Sequence, residues 1–394
     1  MRFFSAGSSH FSGRAARRSV TLPPMTNALL SASAFDPAEI WDDYRPTGLI
    51  ELPGLARQAN VARVFVKMEC ERPLGNFKVL GGMVAGLRAL ARAASVVALR
   101  ELWSTGISRE SLPRLICASD GNHGLAVAAA AKLAGARASI YLPAGVSRFR
   151  ADRIEALGGE IIQVSGTYDD AVLEAAAAGA RGEGLLVPDT TTDPNDAVVK
   201  DVMAGYALLT QELVAQFRDD VRDRPSHLFV QAGVGGLAAA MAEGLMDLMK
   251  EPRRTLVVEP ASAACVARAL SVGQPVHIDG NLQTSAEMLS CGLASAPALQ
   301  VLRRHDARSV VVDESELQTA VTVLRDAGGP DTTQSGSAGL AGLLHVAAGA
   351  DCHGEHQLAS DSNVLLVVTE GPLGVKRSPP TNLDSGRSTL SVDG

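Results

Sequence analysis

The first group that could do chemistry is a lysine at the start of a helix. Residues 66–69 read as the end of a strand and residues 72–76 as a Pro/Gly turn, so Lys78 lies where the next helix begins. The positive end of a helix dipole favours the neutral form of an amine, and imine formation with an aldehyde requires a neutral amine. A lysine at a helix start is also common as a plain surface residue, so position alone leaves both interpretations open.

Two glycine-containing turns, each between a strand and a helix, could hold an anion. Residues 119–124 (SDGNHG) expose backbone N–H groups where an anionic ring oxygen or a carboxylate could bind. Residues 233–237 (GVGGL) have the form of a phosphate-binding turn. The second turn lacks the lysine of a P-loop and, unless Glu259 takes that role, the acid of a dinucleotide site. A turn of this kind is weak support for a cofactor when it stands alone.

Taken together, in this order and spacing, these segments resemble the fold-type II pyridoxal-phosphate enzymes, the family of tryptophan synthase β, the threonine dehydratases and the cysteine synthases. The resemblance covers about residues 44–371. Residues 44–47 (YRPT) resemble the family's N-terminal segment, and Phe77 with Lys78 resembles its lysine motif. Residues 369–371 (TEG) resemble the site where a hydroxyl residue meets the pyridine nitrogen of the cofactor.

The resemblance implies pyridoxal 5′-phosphate as the cofactor, carried as a Schiff base by Lys78, which would also remove the Cα proton of the substrate. The residues that it implies for cofactor binding are Lys78, Phe77, Asn122, Gly233, Val234, Gly235, Gly236, Leu237 and Thr369. A small amino acid is the implied substrate, and the residues implied for its binding are Ser119, Asp120, Gly121 and Asp189. No metal site is expected.

Within this family the chain most resembles the diaminopropionate ammonia-lyases. The segments that carry this likeness are FKVLGG at 77–82, DGNHG at 120–124 and VPDTTT at 187–192. The likeness implies α,β-elimination of 2,3-diaminopropionate to pyruvate and ammonia through an aminoacrylate.

Lys78, Asp120 and Asp189 are the predicted catalytic residues. A substrate with two amines favours carboxylates that bind the second cation. In the related lyases, carboxylates at these positions let both enantiomers react, with one proton taken from each face, and we carry this over as a hypothesis. Asp120 could instead be only the N-cap of the following helix, and Asp189 an ordinary turn acid after a strand.

Three positions depart from the lyase pattern and leave other functions open. They are Gly48, Met68 and Pro372. One alternative on the same fold is a serine/threonine-type dehydratase or a β-replacement synthase. A second alternative, from a different class, is a non-catalytic homologue that binds an amino acid or a partner protein.

Short apolar runs alternate with alanine-rich helical stretches and predict the elements that position these residues. Strands are predicted at 62–68, 114–119, 138–144, 160–166, 184–189, 227–233, 255–260, 309–313 and 363–370. Helices are predicted at 81–94, 123–135, 148–159, 168–180, 197–217 and 235–250. Continuous apolar strands alternating with helices imply parallel sheets covered on both faces.

We therefore predict an α/β fold of two domains with parallel-rich sheets flanked by helices and the cofactor in the cleft between them. The predicted boundaries are an N-terminal arm at 1–43, a large cofactor-binding domain at 44–115 and 190–375, a small domain at 116–189 and a disordered tail at 376–394. A homodimer is expected because members of the family pair.

Composition limits the partners and the compartment. The net charge of −7 argues against a nucleic-acid or anionic-membrane surface, and no apolar run reaches the roughly 18 residues of a membrane span. Five cysteines, none in a CxxC pair, are typical of a reduced, cytoplasmic protein without a zinc site. Cys265 and Cys291 either pair across the stretch between them or are two separate buried thiols.

Overall fold

The structure is a computed structural model, and it describes residues 36–104, 111–119, 121–217, 221–349 and 354–372. Within these ranges two sheets lie between helices, which confirms the predicted α/β class. Asp120, most of the N-terminal arm and the C-terminal tail lie outside the described residues. The domain boundaries assigned from the sequence stay predictions.

The larger sheet has six strands in the order β1-β2-β10-β7-β8-β9. The strands are β1 (Leu49–Glu51), β2 (Arg63–Lys67), β7 (His227–Gln231), β8 (Arg254–Pro260), β9 (Arg308–Val312) and β10 (Asn363–Val367). All neighbours are parallel except β1, which pairs antiparallel with β2 at the edge. Leu365 of β10 pairs with Phe65 of β2 and with Leu228 of β7, and all three residues are buried, so the centre of the sheet is apolar across these three strands.

The smaller sheet has four parallel strands in the order β5-β4-β3-β6. They are β3 (Leu115–Ala118), β4 (Ala138–Pro143), β5 (Gly159–Val164) and β6 (Leu185–Leu186). β3 and β4 are buried along their whole length, as strands covered by helices on both faces must be.

Twelve α-helices cover the two sheets in the described part of the chain. They are α1 (Pro53–Gln58), α2 (Lys78–Ala94), α3 (Glu101–Ser104), α4 (Asn122–Ala134), α5 (Arg148–Ala156), α6 (Tyr168–Ala180), α7 (Ala197–Gln216), α8 (Gly236–Gly244), α9 (Cys265–Val272), α10 (Ala296–Arg304), α11 (Glu314–Asp326) and α12 (Gln334–Ala348). None of these helices has both the length and the apolar character that a membrane crossing requires.

The predicted elements are found, but the prediction was incomplete, since helices α1, α3, α9, α10, α11 and α12 were not predicted. Each of the nine predicted runs contains a strand, and each of the six predicted helices is present. The three-residue edge strand β1 was not predicted, because it is short and only partly buried. α8 ends at Gly244 and not at residue 250, since glycine disfavours helix continuation.

Helix α2 lies between the two sheets and approaches α7 very closely. A Cβ atom added at Gly205 of α7 would lie 2.4 Å from the carbonyl oxygen of Leu80. A Cβ added at Gly81 would lie 2.5 Å from Cε1 of Tyr206. Such distances are below any ordinary van der Waals contact, so both glycines are required for the crossing. The crossing fixes α2, and hence Lys78 at its start, against α7.

A buried ionic cluster lies at the end of β2, beneath this crossing. Glu212 of α7 accepts from Lys67 Nζ and from Arg72 Nη2, each at 2.6 Å. Arg72 also pairs with Glu69 at 2.8 Å, and the Thr47 hydroxyl donates to Glu69 at 2.7 Å. Two positive and two negative side chains therefore compensate one another away from water, which is the condition for burying charge.

The α2–α7 crossing can be tested with Gly205→Ala. We expect the variant to lose about 1–3 kcal/mol of unfolding free energy, because the added methyl overpacks a backbone contact. Urea unfolding followed by circular dichroism measures the change. Gly145→Ala is the matched control, since no atom lies within 4 Å of the position of its added Cβ. An equally stable Gly205→Ala protein would contradict the close approach.

Candidate functional site

One cleft is lined by residues that follow the carboxyl ends of five parallel strands. Lys78 follows β2, Ser119 follows β3, Asp189 follows β6, Gly233 follows β7 and Thr369 follows β10. Ligands of open α/β sheets bind at these ends of the strands, where loops from several strands meet.

The cleft brings together nearly all the predicted site residues that the structure describes. Those that line it are Phe77, Lys78, Ser119, Asn122, Asp189, Gly233, Val234, Gly235, Gly236, Leu237 and Thr369. Gly121 does not line it. Its backbone (φ +137°) turns toward Arg150, whose Cδ would lie 3.0 Å from an added Cβ. The roles assigned to these residues from the sequence stay predictions.

Lys78 is paired with a carboxylate across the cleft. Its ammonium bonds to Asp189 Oδ2, and the hydroxyl of Tyr168 donates to Asp189 Oδ1 at 2.5 Å. Burial alone would lower the pKa of Lys78, but attraction to Asp189 outweighs it, and the pKa of Lys78 lies well above its usual value. Burial would raise the pKa of Asp189, but Lys78 holds that pKa well below its usual value.

The expectation that the helix start favours a neutral Lys78 amine is therefore wrong for the cofactor-free site. A helix dipole contributes only about half a charge at its end, whereas Asp189 brings a full charge into direct contact. Lys78 is an ammonium ion in this state. It must lose a proton before its nitrogen can attack an aldehyde.

The glycine turn between β7 and α8 forms a cradle for an anion. Gly235 has a φ of +96°, a backbone conformation that residues other than glycine rarely adopt. A Cβ added at Gly233 would lie 3.0 Å from the Cys291 sulfur and 3.2 Å from the Met288 carbonyl oxygen. Because a Cβ is crowded at Gly233 and disfavoured by the φ of Gly235, backbone N–H groups at the start of α8 border the cleft, an arrangement suited to a phosphate.

The turn before α4 is held by its own serine. Ser119 Oγ accepts from the N–H groups of Gly121 and Gly124, each at 2.8 Å. The Nε2 of His123 donates to the Val187 carbonyl at 2.8 Å, and burial lowers the pKa of His123, so the ring is neutral. Asn122 Nδ2 donates to Glu370 at 2.5 Å. Ser119 and His123 thus support the turn, while Asn122 faces the cleft.

Thr369 has its hydrogen-bonding direction set by a buried amide. Gln231 Nε2 donates to Thr369 Oγ1 at 3.0 Å and also to the carbonyl oxygens of Ser335, Gly336 and Val367. The Thr369 hydroxyl itself donates a long hydrogen bond of 3.5 Å to the Ser335 carbonyl oxygen, which a nearer acceptor in the cleft would replace. An unprotonated pyridine nitrogen is such an acceptor.

Several residues of the cleft were not predicted as site residues. They are His123, Tyr168, Tyr206, Gln231, Ala232, Met288, Leu289, Cys291, Ser335 and Glu370. Two of them had a local signal, since His123 and Glu370 belong to segments that resemble the family's motifs. The tyrosines lie inside helices and carry no such signal.

The four cysteines in the described residues, Cys70, Cys117, Cys265 and Cys291, are buried thiols and form no disulfide. Cys265 and Cys291 are both buried, and the Cys265 thiol donates to the carbonyl oxygen of Gly233 at 3.3 Å. Of the two alternatives for this pair, the structure has the separate thiols, on either side of the glycine turn. No cluster of three or more metal-binding side chains occurs in the described ranges.

Comparison with known proteins agrees with this geometry. A family model described as "Pyridoxal-phosphate dependent enzyme" matches residues 40–370. The diaminopropionate ammonia-lyase of Escherichia coli K12 is 32% identical over 350 residues, covering 84% of this chain and 86% of that protein. The biosynthetic L-threonine dehydratase of Pasteurella multocida is 28% identical over 318 residues, and the match covers 80% of this chain and 54% of that protein.

Solved structures give the same result. The Escherichia coli diaminopropionate ammonia lyase in complex with an aminoacrylate-PLP azomethine reaction intermediate has a TM-score of 0.75 at 29% identity, covering 88% of both chains. The same enzyme in complex with D-serine has a TM-score of 0.74. Maize serine racemase, at 21% identity and a TM-score of 0.67, is similar in fold.

The Lys78–Asp189 pair can be tested with Asp189→Asn in the cofactor-free full-length protein. We expect a loss of about 3–5 kcal/mol of unfolding free energy at pH 7, because a buried ammonium is left without its carboxylate. Urea unfolding at several pH values measures it. Glu160→Gln is the control, since the pair of Glu160 with Arg114 is exposed and should contribute at most about 1 kcal/mol.

The pH dependence of this loss follows from the two pKa shifts. The lowered pKa of Asp189 contributes stability above about pH 4, its unfolded value, which is lost as the pH falls toward the folded value. The raised pKa of Lys78 contributes stability below about pH 10, which is lost as the pH rises toward the folded value. The contribution of the pair in wild type should therefore be flat between about pH 5 and 9. In Asp189→Asn burial acts on Lys78 without the carboxylate and lowers its pKa, so the loss of stability should shrink as the pH rises and the amine becomes neutral; a loss that grows with pH in that window would contradict the pair.

Proposed function

Because the chain belongs to the family of pyridoxal-phosphate dependent enzymes, we propose that it eliminates ammonia from 2,3-diaminopropionate and releases pyruvate and ammonia. The observation that carries this proposal is the buried Asp189 carboxylate opposite Lys78. An acid in this position suits a substrate whose leaving group is an ammonium ion. The similarity to diaminopropionate ammonia-lyases over most of the chain supports it.

The cleft fits pyridoxal phosphate. The turn at Gly233 and Gly235 disfavours side chains, Lys78 borders the same space, and the buried hydroxyl of Tyr206 lacks a protein partner among the described residues. We propose that the turn holds the phosphate, Asn122 the ring hydroxyl and Thr369 the ring nitrogen. When bound, the cofactor withdraws electrons from the substrate and makes its Cα–H acidic.

Asp189 has two successive tasks in this proposal. It first holds the ammonium of Lys78, and the proton of that ammonium must leave before the nitrogen bonds to the cofactor. The carboxylate is then left in a buried site without its cation, which is costly. The β-ammonium group of diaminopropionate replaces the missing charge, with Tyr168 keeping Asp189 oriented through its 2.5 Å hydrogen bond.

The remaining steps are binding of the α-carboxylate and deprotonation of the substrate. The N–H groups of Ser119 and Gly121, which the resemblance implies for the α-carboxylate, already donate to the Tyr141 carbonyl and to Ser119 Oγ, so they do not fit that role in this geometry. We propose that Lys78 removes the Cα proton on its side. Asp120 lies outside the described residues. We propose it as the base on the opposite face, so that both enantiomers react.

A dehydratase acting on serine or threonine is the second candidate. Its support is the similarity to the threonine dehydratases. A leaving hydroxyl is neutral, so this reaction has no evident use for the charge of Asp189. We further propose that the protein is cytoplasmic, which the lack of a disulfide among the described cysteines supports, and that it acts as a homodimer, because members of the family pair.

The substrate is tested by incubating the purified holoenzyme with diaminopropionate, serine and threonine and measuring pyruvate or 2-oxobutanoate. We expect kcat/KM to be highest for diaminopropionate and Lys78→Ala to reduce its turnover at least ~1,000-fold, because the variant lacks the amine that carries the cofactor and removes the proton. Lys132→Ala, an exposed lysine of α4, should retain full activity. A higher kcat/KM for serine or threonine would overturn the lyase assignment.

The two-face scheme is tested with Asp120→Asn on the separate enantiomers. One enantiomer should lose about 10²–10⁴-fold in kcat/KM, as expected when a positioned base is removed, and the other should change far less. The measurement is the initial rate of pyruvate formation from D- and L-diaminopropionate. Equal losses on both enantiomers would count against two bases.

A further inference from the structure

Tyr206 is a buried side chain that borders the cleft. It lies on α7, is 2% exposed, and its oxygen has no hydrogen-bond partner among the described residues. Burying a hydroxyl without a partner costs free energy, so such groups in folded proteins usually meet a water molecule or a ligand. Neither the proposed catalytic scheme nor the family motifs assign a function to this residue.

The ring of Tyr206 spans the gap between two helix starts. On one edge Cε1 lies 2.5 Å from the position of a Cβ added at Gly81, three residues after Lys78 in α2. On the other edge Cε2 lies 3.6 Å from a Cβ added at Gly236, the first residue of α8. The Phe77 ring packs beside it with centroids 5.0 Å apart. Both neighbours are glycines, so the ring reaches the cleft between the lysine and the phosphate cradle.

The hydroxyl is a donor throughout the ordinary pH range. Burial raises the pKa of Tyr206 well above its usual value. The positive charge of Lys78 acts to lower that pKa, and the negative charge of Asp189 acts to raise it. The oxygen therefore keeps its proton. A protonated hydroxyl beside a helix start and a glycine turn matches an anion that has several acceptor oxygens.

We propose that the Tyr206 hydroxyl donates a hydrogen bond to the phosphate group of pyridoxal phosphate, in addition to the backbone donors of the glycine turn. The other occupant to consider is a group at the lysine end of the cofactor. That end already has Asp189, with Tyr168 behind it. The hydroxyl-bearing Cζ of Tyr206 lies 2.7 Å from a Cβ added at Gly81, while the opposite ring edge lies against Gly236 at the start of α8, so the ring is within reach of both ends and the start of α8 is the end that lacks a side-chain donor. The inference rests on the cofactor and not on the proposed substrate.

The test compares two aldehydes that differ only in the phosphate. Full-length wild type and Tyr206→Phe are freed of cofactor, and the dissociation constants of pyridoxal phosphate and pyridoxal are measured from the visible absorbance of the bound aldehyde. We expect Tyr206→Phe to weaken binding of pyridoxal phosphate about 10- to 100-fold, as for a lost hydrogen bond to a charged group. Binding of pyridoxal should change less than about twofold, which is within the context dependence of a single contact.

Tyr141→Phe is the matched control, because Tyr141 is buried in β4 of the smaller sheet and does not line the cleft. It should leave both dissociation constants unchanged. Thermal unfolding of the cofactor-free proteins checks folding, and removing an unpartnered hydroxyl should not lower the stability of Tyr206→Phe.

Two results would overturn the inference. Equal weakening for both aldehydes would assign the hydroxyl to the lysine end, and unchanged binding of pyridoxal phosphate would remove it from the site. No amino-acid substrate enters the measurement, so a different substrate for the enzyme would leave this result intact.

Discussion

The ion pair between Lys78 and Asp189 is the contact on which the site depends. Lys78 follows a strand of the larger sheet and Asp189 follows a strand of the smaller one, so the pair bridges the cleft between them. Neither charge would be tolerated in this largely buried position without the other. The contact that joins a segment of one sheet to a segment of the other also sets the charge of the reactive amine. Fold and chemistry are thus coupled through one hydrogen-bonded pair.

Much of the fold follows from local sequence. Strands buried on both faces must be continuously apolar, and nine such runs stand out in the order of the residues alone. The positions of Lys78, Asn122, Gly233 and Thr369 follow from the same pattern, since each lies in the segment that follows a strand and parallel strands bring their carboxyl ends together. Glycines between a strand and a helix can also be recognised from the sequence, because a turn whose backbone N–H groups bind an anion favours residues without a Cβ.

What the sequence could not supply is pairing over long distances. The protonation of Lys78 depends on a carboxylate 111 residues away, and the local argument from the helix dipole therefore gave the wrong charge. Gln231 acts on Thr369 from 138 residues away, and nothing near either residue indicates it. Tyr206 sits within an apolar helix face where a core aromatic is the ordinary interpretation, and only the close approach at Gly81 and Gly236 brings its ring to the cleft.

The buried cluster of Lys67, Arg72, Glu69 and Glu212 has a consequence for how this chain can diverge. Its charges sum to zero, so replacing one member leaves an uncompensated ion beneath α2, whereas replacing all four with apolar residues of similar volume can be nearly neutral. Exchange at these positions is therefore strongly epistatic. Proteins with one to three of these replacements are expected to be less stable than either end point.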